Sequence, residues 1–131
     1  MTRYLAYSGT AVPPFHSHDP QLLKGVMSLL LLHLLAQRES YGYEVVQRLH
    51  SIGLTGILEG TVYPALTRLE REGRLTTRLV VSSSGPARKY YQPTKAGYDT
   101  LAAGTSSWTA LAEIVAGQLD QPVPTDPIQG A

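Results

Sequence analysis

Along the chain, apolar positions recur with helical spacing in four segments, and between the third and the fourth they give way to two short runs rich in Thr, Val and Tyr that suit strands. The first segment, about Leu22 to Gln37, carries leucines on nearly every side and so must be covered by more than one neighbour. Ser40 is placed to cap a second helix that turns Val45, Val46, Leu49 and Ile52 inward and stops at Gly53. A connection over Leu54–Gly60 leads into the third, carried by the stretch GTVYPALTRLEREG, Gly60–Gly73. At about 100° per residue, Val62, Ala65, Leu66 and Leu69 gather on one side of this third helix. Tyr63, Pro64, Thr67, Arg68 and Arg71 gather on the other, with Glu70 and Glu72 toward the margins. Thr61 is the expected N-cap, with Pro64 in the first turn, where its missing N–H costs little, and Gly73 the expected stop.

Leu75–Ser82 then reads as a strand, Ser83–Ala87 as a turn and Arg88–Gln92 as a returning strand with a basic start. Tyr90 and Tyr91 alternate across that strand, so one of them belongs to the core. Pro93 has no backbone donor and must sit at an edge or a strand end. Thr94 caps a last helix reaching about Leu119, on which Leu101, Trp108, Leu111, Ala112, Val115 and Leu119 project within a sector of about 100°. In so small a chain this seam has few internal partners. It most simply packs on the seam of a second copy and on the first helix, which predicts a homodimer with Leu101, Trp108, Leu111, Val115 and Leu119 at the interface. Packing within one chain is the alternative.

Composition narrows the picture. The 131 residues, 43% hydrophobic and 16% charged, suit a single globular domain, and the absence of cysteine excludes disulfides, thiolate metal sites and cysteine nucleophiles. The net charge is only +1, yet between Thr61 and Tyr98 seven cations face two carboxylates, a local surplus of five. Lys24 and His33 keep the leucine-rich run well short of the roughly 18 residues of a membrane span, and no leader pattern follows Arg3, so a cytoplasmic protein without a membrane segment is expected. Residues 1–20, with Pro13, Pro14 and Pro20, read as a flexible arm, and residues 120–131, with Pro122, Pro124 and Pro127, as a disordered tail. Between them lie a 21–93 unit and the 94–119 helix. His16, His18 and Asp19 could ligate a metal, but the arm lacks the fixed geometry of a site, so no metal and no cofactor is expected. No Gly-rich phosphate loop and no grouped acid, base and nucleophile argue for an enzyme.

Three helices followed by a two-stranded hairpin is the order of a winged helix-turn-helix, and the fold class expected is mainly α with a small β-hairpin, completed by a C-terminal dimerisation helix. In that arrangement the third helix enters the major groove of double-stranded DNA and the hairpin reaches the backbone beside it. An outward face without acids fits an approach to a polyanion. The plainer alternatives are a solvated polar face and a winged module that contacts protein, for which binding would hardly depend on salt.

At these residues the chain resembles the PadR family of bacterial transcriptional regulators. The matching pieces are Tyr41-Gly42-Tyr43-Glu44, the Gly60–Gly73 stretch, and Gly85-Pro-Ala-Arg-Lys-Tyr-Tyr91 followed by Thr94-Lys-Ala-Gly97, with Trp108 where short members carry a tryptophan. The resemblance covers about Leu22 to Leu119 and implies a homodimeric repressor of a palindromic operator, without an intrinsic cofactor, released by a small hydrophobic or aromatic effector. DNA contacts are then expected from Tyr63 and Thr67, flanked by Thr61 and Pro64, from Arg68 and Arg71 to phosphate or guanine, and from Arg88 and Lys89 to the backbone. By resemblance Tyr41 is a backbone contact, with core packing as its alternative. Trp108 stacks on the effector or only anchors the interface, and Leu29, His33 and Ala112 share that space. Two features depart from the family: the first wing strand lacks an aromatic residue, and Gln92-Pro93 replaces the usual Arg-Leu. Gly97 matches the family, whereas Gly104 has no account in the sequence.

Overall fold

The computed structural model describes residues 20–125. The chain forms two compact units, one ending at Thr105 and one that takes in the helical residues from Ser106. The elements are α1 (Pro20–Lys24), α2 (Met27–Gln37), β1 (Ser40–Tyr41), α3 (Gly42–Ser51), α4 (Glu59–Arg71), β2 (Leu75–Ser82), β3 (Gly85–Pro93) and α5 (Lys95–Leu119). Leu31, Leu32 and Leu35 of α2 meet Val45 and Leu49 of α3 and Val62, Leu66 and Leu69 of α4 in one core, closed by Leu75 and Tyr91 of the sheet. Burying each such side chain stabilises the fold by about 1.5–3 kcal/mol. A mainly α fold with a small antiparallel sheet results, and it is a winged helix-turn-helix in its order of elements.

Two helices end as the sequence requires. Gly53 and Gly73 have φ of 115° and 79°, a backbone conformation open to glycine at little cost. At Gly73 the Arg74 N–H reaches the Leu69 carbonyl (2.9 Å) and the Gly73 N–H the Glu70 carbonyl (3.0 Å). At Gly53 the Leu54 N–H reaches Leu49 and the Gly53 N–H reaches His50, both at 3.0 Å. Both are the paired bonds of a Schellman motif, which satisfy carbonyls the helix leaves open.

Helix starts differ more from expectation. The first helix breaks at Gly25–Val26 into α1 and α2. Ser40 caps nothing: it is buried in β1, opposite Tyr91, and its hydroxyl accepts from the Arg48 guanidinium at 2.9 Å. That guanidinium also donates to the Arg38 carbonyl (3.0 Å), tying the end of α2 to α3, and burial lowers its pKa from the ordinary value. The backbone of Tyr41 takes the N-cap position of α3 instead. Ile52, expected inward, is 54% exposed because it lies at the C-cap, beyond the last inward turn. α4 opens at Glu59 with Leu58 as N-cap, so Thr61 is no cap; its N–H bonds the Leu58 carbonyl at 3.0 Å inside the first turn. Pro64 consequently lies in the second turn, not the first. Gly60, four residues earlier, is exposed, so water can serve the carbonyl that loses its donor.

The sheet has the order β1-β3-β2, antiparallel throughout. The returning strand starts at Gly85 rather than Arg88, the turn shrinks to Ser83–Ser84, and the ladder is irregular between Val80 and Ser82. Pro93 closes β3 opposite Leu75, the strand-end position its missing donor demands. Of the tyrosine pair, Tyr91 is the buried one.

Thr94 caps α5 as expected, its Oγ1 accepting from the Gly97 N–H at 3.0 Å. The same hydroxyl donates to the Gly73 carbonyl (2.6 Å), and the Thr94 N–H donates to the Arg74 carbonyl (3.1 Å), so the end of α4 and the start of α5 form one joint. A Cβ on Gly104 would lie 2.9 Å from Leu29 Cδ1, the end of a half-buried side chain that can turn aside, so this glycine is convenient there rather than required. Residues 1–19 and 126–131 lie outside the described residues, and with them most of the expected arm, the end of the tail, and His16, His18 and Asp19.

Candidate nucleic-acid interface

The side of α4 turned away from the core presents Thr61, Tyr63, Pro64, Thr67, Arg68 and Arg71, all exposed, because Val62, Leu66 and Leu69 fix the rotation of the helix by their burial. Arg68 donates to the Ser28 hydroxyl of α2 and lies 3.8 Å from Glu72. Arg71 has no carboxylate partner among the described residues. Its two sequence neighbours are engaged elsewhere: Glu72 meets Arg74 at 3.2 Å, and Glu70 meets Lys89 at 2.9 Å and the Thr77 hydroxyl at 3.2 Å. The Arg68–Glu72 contact is exposed and worth less than about 1 kcal/mol, so a phosphate can displace it.

Arg88 and Lys89, adjacent in sequence, serve opposite faces of the wing. Lys89 turns toward α4, bonded to Glu70 and 5.5 Å from the centre of the Tyr91 ring, and the hydrogen bond from its ammonium to Glu70 raises its pKa. Arg88 lies 4.6 Å from the Tyr41 ring centre on the other face, where Tyr41 meets Tyr90 edge to face (5.4 Å, 61°) and Arg78 sits 5.8 Å from the Tyr90 ring. Glu39 closes this ladder by binding Arg78 through two hydrogen bonds, which hold its carboxyl below the usual range. Arg88, like Arg71, has no carboxylate partner among the described residues.

Where the start of α3, α4 and the wing converge, Tyr41, Tyr43, Tyr63, Arg88, Lys89 and Tyr91 border a cleft of about 230 Å³. Gly42 leaves room for the Tyr63 ring beside it: a Cβ there would lie 2.8 Å from that ring. Burial, then the charge of Glu59, raises the Tyr63 pKa above the usual phenol range. The structure thus brings Tyr41, Tyr63, Arg88 and Lys89 together at one end of the α4 face, Lys89 held there by Glu70, and leaves Arg68 and Arg71 toward the other. Sequence reading passed over Ser28, Tyr43, Arg78 and Glu39; of these only Tyr43 had a signal, its place beside Gly42. Of the residues expected around an effector, Leu29 is half-buried and His33 exposed on α2, while Trp108 and Ala112 lie on α5 in the second unit.

A sequence profile of the Transcriptional regulator PadR-like family matches residues 31–103, more than half of the chain. The chain belongs to the PadR-like family. A transcriptional regulator of Mycobacterium tuberculosis is 34% identical over 96 residues, which cover 72% of this chain and 88% of that protein. A PadR-like transcriptional regulator from Bacillus cereus superposes with a TM-score of 0.71 at 37% identity, covering 78% of this chain and 99% of the other. A PadR family regulator from Eggerthella lenta gives 0.72 at 31% identity, covering 81% and 92%. PadR-like regulators bind DNA, and no helix among the described residues is long and apolar enough to cross a membrane.

In this PadR-like chain the Glu70–Lys89 pair lies between α4 and the wing, which yields a test. Glu70→Gln should leave stability within about 1 kcal/mol, because the pair is a surface contact. It should tighten binding to any duplex and steepen the salt dependence by about one unit of log–log slope, because Lys89 is then free for a phosphate. Anisotropy titrations at several salt concentrations measure both; an unchanged slope would mean that Lys89 stays on the wing's inner face.

Proposed function

We propose that this PadR-like protein is a cytoplasmic, homodimeric repressor that reads a palindromic operator through α4 and is released by a small hydrophobic or aromatic effector. The observation that carries the reading is the α4 face: its exposed residues from Thr61 to Arg71 put Arg68 and Arg71 forward with no acid between them and the Tyr63 end. Tyr63 and Thr67 then reach base edges or adjacent phosphates, Arg68 and Arg71 reach phosphate or guanine, and Arg88 and Tyr41 hold the backbone at the cleft. Lys89, which lines the same cleft, adds a phosphate contact once Glu70 releases it.

The dimer rests on α5. Beyond Ser106 it exposes Trp108 (39%), Leu111 (54%), Ile114 (68%), Val115 (44%) and Leu119 (77%), an apolar stripe that a second copy's helix would cover. Leu101, expected in the same seam, packs against the core of the first unit. Two copies related by a twofold axis would set two α4 helices into successive major grooves, about 34 Å apart. The effector would stack on Trp108 beside Ala112, one turn further along α5.

Footprinting on the protein's own promoter, repeated as salt is raised, tests the reading. Protection of two half-sites that weakens steeply with salt supports it; binding indifferent to salt would point to a protein partner instead. Leu111→Glu should give a monomer in sedimentation, and a persisting dimer would remove the seam. Effector-driven release that survives Trp108→Ala would take Trp108 out of the ligand site.

A further inference from the structure

Alongside the α4 face runs a groove of about 850 Å³, within the size range of small-molecule sites, walled by α1, the start of α2, the α3–α4 connection and α4. Its floor is apolar, made by Leu23, Met27 and Ile57; its rim carries Lys24, Arg68 and Arg71; and none of the residues that line it is acidic. From Thr61 to Arg71 it follows α4 over eleven residues, about 15 Å. Phosphates and base edges can use the rim but not the floor. A ligand that uses both needs a hydrocarbon body and an anionic end.

We propose that this groove binds an elongated amphipathic anion of the long-chain carboxylate type. The head pairs with the rim guanidiniums or the Lys24 ammonium and the chain covers Leu23, Met27 and Ile57. Charge complementarity selects the anion over a neutral or cationic lipid. Because Arg68 and Arg71 belong to both surfaces, ligand and duplex exclude each other, a consequence that rests on the α4 reading above. The groove shares no lining residue with the α5 surface assigned to the effector, and its ligand acts by direct competition.

The test is calorimetry of the full chain with dodecanoate below its micelle concentration, against decanoate, octanoate and dodecyltrimethylammonium. Expected are saturable binding of dodecanoate, a gain of about fourfold per added methylene, no binding of the cation, and a loss of fivefold or more in Lys24→Glu with recovery in Lys24→Arg. No heat with dodecanoate, as when duplex alone or the chain's own residues 1–19 take the groove, overturns the proposal. Binding that Lys24→Glu leaves intact but Leu111→Glu abolishes also overturns it, by moving the ligand to α5. Binding that depends on Lys24 without displacing duplex supports the groove and counts against the α4 reading, so the two failures are distinguishable.

Discussion

Replacing Arg68 and Arg71 together by Ala is expected to weaken duplex binding by a factor between about 30 and about 25,000, with fold and oligomeric state unchanged. The range follows from two charged contacts at about 1–3 kcal/mol each, whether to phosphate or to guanine. Little of the loss can come from misfolding. Both side chains are exposed, and what they give up in the free protein is the Arg68 bond to Ser28 and its 3.8 Å contact with Glu72. The core side of α4, held by Val62, Leu66 and Leu69, is untouched. Anisotropy with operator and with unrelated duplex separates the two kinds of contact. A loss shared by all duplexes, with a shallower salt slope, marks phosphate contacts; a loss on operator alone marks base reading. An unchanged footprint with a normal melting curve would mean that α4 does not face the duplex.

The face that carries this prediction was legible in the sequence because it follows from one periodicity. Once Val62, Leu66 and Leu69 are inward, the positions of Tyr63, Thr67, Arg68 and Arg71 are fixed by the helix repeat, and the burial of those three side chains agrees. The glycine stops at Gly53 and Gly73 were legible for a similar reason: each needs only its own φ and carbonyls within the preceding turn. Helix starts were harder. Thr61 has the chemistry of a cap, but a cap also needs extended backbone, and here Leu58 supplies it (φ −111°, ψ 162°). Nothing in residue type favours Leu58, so the acidic Glu59 in the first turn is the only local hint.

What stayed hidden depends on partners far away in sequence. Ser40–Tyr41 is too short for any period to register, and becomes a strand only because Tyr91 and Tyr90 lie beside it. Glu39 finds Arg78 and Lys89 finds Glu70 across elements, so adjacent Arg88 and Lys89 take different roles although composition treats them as equal. Gly104, mute in the sequence, stands close to Leu29 on another helix. Such contacts set how the wing stands against α4, which is why the candidate contacts were readable one by one while their grouping at the Tyr41–Tyr63–Arg88 cleft was not.

The joint between α4 and α5 depends on one hydrogen atom in place of a methyl group. A Cβ on Gly97 would lie 2.0 Å from the Arg74 carbonyl oxygen and 3.1 Å from both the Arg74 carbonyl carbon and Pro93 Cβ. That oxygen cannot swing away cheaply. It accepts the Thr94 N–H, while its neighbour, the Gly73 carbonyl, accepts the Thr94 hydroxyl, and both belong to the turn that ends α4. Gly97→Ala should therefore cost about 3 kcal/mol or more, at the upper end of overpacking effects, against a total stability of about 5–15 kcal/mol. A methyl group on Gly117, in the same helix, would meet nothing within 4 Å, and there the same substitution should stabilise by up to about 1 kcal/mol through helix propensity alone. Urea unfolding of the two variants reads opposite signs, and a loss below about 1 kcal/mol for Gly97→Ala would mean that α5 does not approach Arg74 so closely. Relief of the clash by moving α5 or the α4 end would also shift Arg71, so duplex affinity should fall in Gly97→Ala even where the variant is still fully folded.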